Sequence, residues 1–178
     1  EKTADTRDFV EEALAVRDLL RSRNIPMIVN DRIDVALAVS ADGVHLGQKD
    51  MPMDMARRIL GPGKIIGVSA ESVADAEAAE KAGADYLGVS PIYATPTKTD
   101  TAAALGLEGL RRIREAVKLP LVGIGGLHAG NAAAVIRHGA DGVAVVSAIV
   151  SADDPEKAAR ELSRIVAEAK AAVWQGRR

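Results

Sequence analysis

Two acidic residues, Asp31 and Asp50, each follow a short apolar run, residues 27–29 and 43–46, and stand about twenty positions apart. With Asn30 beside the first, they offer two carboxylates and an amide to one hard cation. Magnesium suits such a set, because it takes oxygen ligands, keeps several waters and commonly bridges to substrate phosphates. Taken singly, each carboxylate also has a plainer reading. Asp31 would cap a helix beginning at Ile33, and Asp50 would cap a helix after Pro52.

Other residues suit anions. Gly123-Ile124-Gly125-Gly126-Leu127 closes one apolar run, and Val145-Val146-Ser147-Ala148 closes the next. Consecutive glycines let backbone N–H groups approach a phosphate; a turn needed only for packing is the alternative. The stretch from Pro91 to Gly106 carries Thr95-Pro96-Thr97-Lys98. There Pro96 restricts the backbone, and Lys98 is flanked by hydroxyls, an arrangement suited to a diphosphate. The alternative is a solvated surface lysine. His45 alternates with apolar residues and reads as structural, and His138 reads as an exposed helix end. His128 either reaches a ligand or caps a turn. Met51, Met53 and Met55 read as adaptable packing.

Positioning such residues requires a repeating scaffold. Residues 5–23 have apolar positions at helical spacing, with acidic residues gathered near the start. Short apolar runs at 27–29, 43–46, 65–68, 86–89, 121–124 and 142–146 read as strands covered on both faces. Helical segments at 33–39, 52–60, 73–82, 107–117, 131–138 and 155–172 alternate with them. The pair Ala-Asp precedes every second strand, as Ala41-Asp42, Ala84-Asp85 and Ala140-Asp141. Six strands fit an open doubly wound sheet or most of a barrel. The polar residues favour the barrel, because they stand after successive strands, Ser69 among them, rather than at one switch point.

The composition excludes several partners. The chain has 178 residues, 48% of them hydrophobic and 2% aromatic, with a formal net charge of −2. One globular domain is expected, its core built from Ala, Val, Leu and Ile, with residues 173–178 as a frayed tail. There is neither the basic field nor the aromatic surface that nucleic acid requires. No apolar run nears a membrane span of roughly 18 residues. The absence of cysteine excludes disulfides and thiolate metal sites. A cytoplasmic protein acting on small molecules is expected, and a homo-oligomer stays open.

These motifs resemble the thiamine phosphate synthases. The resemblance runs from the first residues to about Val166. It rests on Ile28-Val-Asn-Asp-Arg32, Ala41-Asp-Gly-Val-His-Leu-Gly-Gln48 with Asp50, Ile66-Gly-Val-Ser69, Thr95-Pro-Thr-Lys98, Gly123-Ile-Gly-Gly126 and Ala140-Asp-Gly-Val-Ala-Val-Val-Ser-Ala-Ile149. It implies a (β/α)8 TIM barrel that joins 4-amino-2-methyl-5-hydroxymethylpyrimidine diphosphate to 4-methyl-5-(2-phosphoethyl)thiazole, giving thiamine phosphate and pyrophosphate. The pyrimidine diphosphate ionises first, and the thiazole nitrogen traps the cation.

By motif, the resemblance implies Mg2+ on Asp31 and Asp50, and the pyrimidine diphosphate on Asn30, Ser69 and Lys98, the last two with catalytic roles. It implies the thiazole phosphate on Thr95, Thr97, Gly126, Val146 and Ser147. Of the family's Gln-x-Arg-Glu-Lys motif only Glu1-Lys2 is present, which carries a diphosphate role to Lys2 alone. The expected barrel here lacks its first strand, first helix and second strand, and the native protein is expected to be longer or completed by a separate segment. Two rivals are a thiazole tautomerase-like isomerase on the same fold and a non-catalytic chain that binds a phosphorylated ligand.

Overall fold

A computed structural model describes residues 5–94 and 104–176. Strands and helices alternate in it, and the chain divides into two compact units.

The first unit comprises Glu1–Val68 with Ala82–Asp85. It contains α1 (Thr6–Arg21), β1 (Ile28–Asn30), α2 (Ile33–Ala38), β2 (Gly43–Leu46), α3 (Met53–Leu60) and the first four residues of β3 (Ile65–Ala70). Asp5 caps α1 by accepting the Asp8 N–H at 3.0 Å, and Arg21 complements the dipole in the last turn. The strands are parallel, with Asn30 opposite His45 and Leu46 opposite Val68. Val29, Val44, Leu46 and Ile66 are buried, as the near-continuous apolar runs predict for strands covered on both faces.

The second unit comprises Ser69–Lys81 with Tyr86–Arg178. It holds the end of β3, nearly all of α4 (Val73–Ala82), then β4 (Tyr86–Val89), α5 (Gly106–Ala116), β5 (Leu121–Ile124), α6 (Ala129–Arg137), β6 (Gly142–Ala144), α7 (Ser147–Val150) and α8 (Pro155–Gly176). Strands β4, β5 and β6 are again parallel, and the last ladder ends with Ile124 opposite Ala144. Leu87, Val89, Leu110, Ile113, Leu121 and Val135 form its fully buried centre. No polar or charged residue is buried among the described residues, so the chemistry-bearing groups lie at strand ends and surfaces.

The recurring Ala-Asp pair has a physical role. Asp42 donates its N–H to Met27 O at 2.9 Å, and its Oδ2 accepts the Met27 N–H at 2.7 Å. Asp85 does the same with Ile66, at 2.8 and 2.7 Å, and Asp141 with Leu121, at 2.7 and 2.9 Å. Each aspartate thus clips the amino end of a strand to a residue at or beside the start of the strand before it. Arg57 and Arg114 add ion pairs to Asp85 and Asp141.

Several boundaries differ from the sequence expectation. β6 stops at Ala144 rather than Val146, because Val146 turns to φ −116°, ψ −79° and the chain enters the short α7. β3 continues to Ala70, which places Ser69 inside the strand instead of beyond it. α8 runs to Gly176, so Trp174 belongs to a helix and not to a tail. α6 begins at Ala129, two residues early, for a reason that concerns the site.

Candidate functional site

In the first unit, β1 delivers Asn30 at its last position and Asp31 just beyond it. Asp31 adopts φ +63° and donates its N–H to His45 O at 2.8 Å. Such a left-handed conformation is uncommon outside glycine, although aspartate tolerates it better than most residues. It turns the chain sharply at the carboxyl end of the strand.

Asp31 does not cap α2, whose N-cap is Arg32 without a side-chain bond, nor does Asp50 cap α3, which starts after Pro52. Both capping readings are therefore set aside. Asp50 instead closes a tight turn: its Oδ2 accepts the Gly47 N–H at 2.6 Å, and its own N–H donates to Gly47 O at 3.2 Å. The neighbouring cation Arg32 is committed elsewhere. It forms a two-pronged contact with Asp34, at 2.8 and 2.6 Å, and donates to Thr6 Oγ1 at 3.0 Å. That contact raises the Arg32 pKa and lowers that of Asp34.

The donor set of Asp31, Asp50 and Asn30 is all oxygen and fits a hard divalent ion. Among the described residues no group of three or more His, Asp or Glu gathers at one point. An ion held here would rest on two carboxylates, with water and substrate oxygens completing its shell, as magnesium prefers.

In the second unit, Gly125 and Gly126 follow β5 with φ +96° and +65°. A Cβ on Gly125 would lie 2.9 Å from Pro91 Cβ, and one on Gly126 would lie 2.8 Å from Ala94 O, so both positions require glycine for packing. The close neighbour is the segment of residues 91–94. Ile92 N–H donates to Ile124 O at 2.8 Å, and Tyr93 N–H donates to Gly125 O at 3.1 Å. On the return, Leu105 N–H reaches Pro91 O at 2.9 Å and Gly106 N–H reaches Ile92 O at 3.0 Å. Ile92 and Tyr93 are thereby bonded to the end of β5 and the glycine turn, and Leu105 and Gly106 to Pro91 and Ile92. Thr95, Thr97 and Lys98, like Lys2, lie outside the described residues.

Val146 and Ser147 follow β6, two and three residues past Ala144, the ladder partner of Ile124, and both are exposed. Half-buried Ser69 stands near the end of β3. His128 resolves to a cap: its Nδ1 accepts the Gly130 N–H at 3.1 Å. Asn131 completes the cap, with Oδ1 accepting the His128 N–H at 2.9 Å and Nδ2 donating to Gly126 O at 2.9 Å. Sequence reasoning missed Asn131 because the capping box is disguised. His and Asn stand where Ser or Thr and Glu or Gln usually do.

A family model described as thiamine monophosphate synthase matches residues 1–149. The thiamine-phosphate synthase of Chloroflexus aurantiacus is 59% identical over 166 residues, covering 93% of this chain and 76% of the relative. That of Albidiferax ferrireducens is 56% identical with the same coverage. The solved thiamine phosphate pyrophosphorylase from Pyrococcus furiosus superposes with a TM-score of 0.88 at 47% identity, covering 95% of this chain and 81% of that one.

Proposed function

The chain belongs to the thiamine monophosphate synthase family and is a transferase that condenses a pyrimidine diphosphate with a thiazole phosphate; we propose that Asp31 and Asp50 hold the Mg2+ this reaction uses. The isomerase and non-catalytic readings gain no support from these relatives. The finer form of the fold is also part of the proposal: the six strands stand for six of the eight in a (β/α)8 barrel.

In the reaction, the bond from the pyrimidine methylene carbon to the diphosphate oxygen breaks, and its electron pair leaves with pyrophosphate. The thiazole nitrogen lone pair then forms the new C–N bond. Stabilising charge on the leaving group is the main task, so no general base is required for the ionisation. Asp31 and Asp50 would hold Mg2+, which would neutralise part of that charge. Lys98 supplies a second positive charge, and Asn30, Ser69 and Lys2 hold the diphosphate oxygens. Preorganised contacts of this kind are each worth roughly 3–4 kcal/mol. Thr95, Thr97, Gly126, Val146 and Ser147 take the thiazole phosphate.

The observation that carries the metal reading is the pair of carboxylates at the ends of adjacent strands, neither of them capping a helix and one in a left-handed backbone. Backbone strain of this kind concentrates at functional positions. The test is pyrophosphate release with both substrates across a magnesium titration, for the wild type and for Asp31→Asn and Asp50→Asn. A higher magnesium requirement in both variants is expected. An unchanged requirement in both would remove the metal from these residues.

A further inference from the structure

The glycine turn of the second unit is held by three anchors on three successive carbonyls. Ile124 O accepts from Ile92 N–H, Gly125 O from Tyr93 N–H, and Gly126 O from Asn131 Nδ2. A trans peptide unit is planar, with its C=O and N–H pointing in opposite directions. Fixing each carbonyl therefore fixes the direction of the next N–H. The Ile92 bond sets the Gly125 N–H, the Tyr93 bond sets the Gly126 N–H, and the Asn131 bond sets the Leu127 N–H. Among the described residues, no protein acceptor engages the Gly126 or Leu127 N–H. Two of the anchors are backbone groups that any sequence could supply. The third is a side chain, and it is the only one that depends on residue type.

Asn131 suits this task because its amide carries one donor and one acceptor group on a short stem. Nδ2 takes Gly126 O while Oδ1 takes the His128 N–H, both at 2.9 Å, so residues 126–128 are held from both ends by one half-buried side chain. Aspartate could reproduce only the second contact, and would set a carboxylate against the Gly126 carbonyl.

We propose that Asn131 is a positioning residue for phosphate recognition: by anchoring Gly126 O, it aims the Leu127 N–H and holds the glycine turn in the form that accepts the thiazole phosphate. The proposal rests on the reading above that this turn takes that phosphate. Asn131 itself touches no substrate.

The experiment measures dissociation constants of the full chain for the thiazole phosphate and for the corresponding thiazole alcohol, which lacks the phosphate. Wild type, Asn131→Ala, Asn131→Asp and His128→Ala are compared, with melting temperature alongside. Wild type binds the phosphate form more tightly. In both Asn131 variants that preference falls by about tenfold, the consequence of losing the bond to Gly126 O and mis-setting its peptide, while affinity for the alcohol holds within about twofold. His128→Ala loses the bond to Gly130 and lowers the melting temperature, but keeps the preference. A preference retained in folded Asn131→Asp overturns the positioning role. Equal loss in His128→Ala assigns the effect to general stability of the cap, and also overturns it. A wild type with no preference for the phosphate form instead overturns the phosphate reading of the turn, and this inference with it.

Discussion

The Asp50 carboxylate has two roles that one substitution can separate. Its Oδ2 holds the Gly47 N–H, and its charge is assigned to magnesium. Asp50→Asn keeps an oxygen for Gly47 and loses the charge, so the magnesium requirement should rise by about tenfold or more with the melting temperature unchanged. Asp50→Ala should lower both metal affinity and stability. If the two variants match in both readouts, the turn and not the ion is what the carboxylate serves. Lys98→Ala should lower turnover by roughly 100-fold with the fold retained, as for loss of a charge-stabilising contact. Near-normal turnover would end its assigned role. Asp31, Asp50 and Lys98 stand out in the sequence as candidates, because chemistry restricts which side chains can do this work. Their local partners were not readable. Nothing in the order of residues 47–50 says that Asp50 turns back on Gly47 instead of forward onto α3, and nothing in 126–131 says that Asn131 reaches Gly126.

At the scale of elements, the aspartate clips make the sequence repeat mechanical. Asp85 and Asp141 are roughly half exposed, at 46% and 54%, so their ion pairs with Arg57 and Arg114 should contribute little, about 0–1 kcal/mol. The bonds to the part-buried strand N–H groups matter more. Asp85→Ala and Asp141→Ala should each cost about 1–3 kcal/mol, and the Asn variants distinctly less, by chemical denaturation. Equal losses would mean the ion pair, not the backbone clip, is the stabilising part. On α5, hydrogen bonds from Arg111 and then Arg112 hold the Glu108 pKa down to about 2 from an ordinary 4.5. A lowered pKa gives stability that is present above about pH 4.5 and lost as pH falls towards 2. Glu108→Gln should therefore show less pH dependence than the wild type in that window, and any stability advantage of the wild type, small at this exposed site, should be present near neutrality and vanish towards pH 2. The strands at Gly43–Leu46, Tyr86–Val89 and Leu121–Ile124 match their apolar runs residue for residue, since continuous burial leaves an unambiguous signal. Valine at 145 and 146 misled, because β-branched residues suit a strand while the backbone there already turns into α7.

For the whole molecule, the two carboxylates and the glycine turn fall in different units, while the residues assigned to the diphosphate, Asn30 and Ser69 among them, come from both. The carboxylates belong to Glu1–Val68, and the glycine turn with Val146 and Ser147 belongs to Tyr86–Arg178. The repeated strand–helix order made the architecture legible, but this division depends on contact density that no periodicity records. If the assignments hold, each ligand leaves its own pattern of slowed amide exchange. Inorganic pyrophosphate should protect residues 30–32 and 47–50 only when Mg2+ is present, because two carboxylates would otherwise repel the anion. Thiazole phosphate should protect residues 125–131 and 146–150 with or without the metal, because its donors there are backbone N–H groups. Asp50→Asn should abolish the first pattern and leave the second intact. Metal-independent protection by pyrophosphate at 30–32 would show that those residues hold phosphate directly. Loss of the thiazole phosphate pattern in Asp50→Asn would show that the glycine turn depends on the carboxylates for its shape, which neither unit's hydrogen bonding requires.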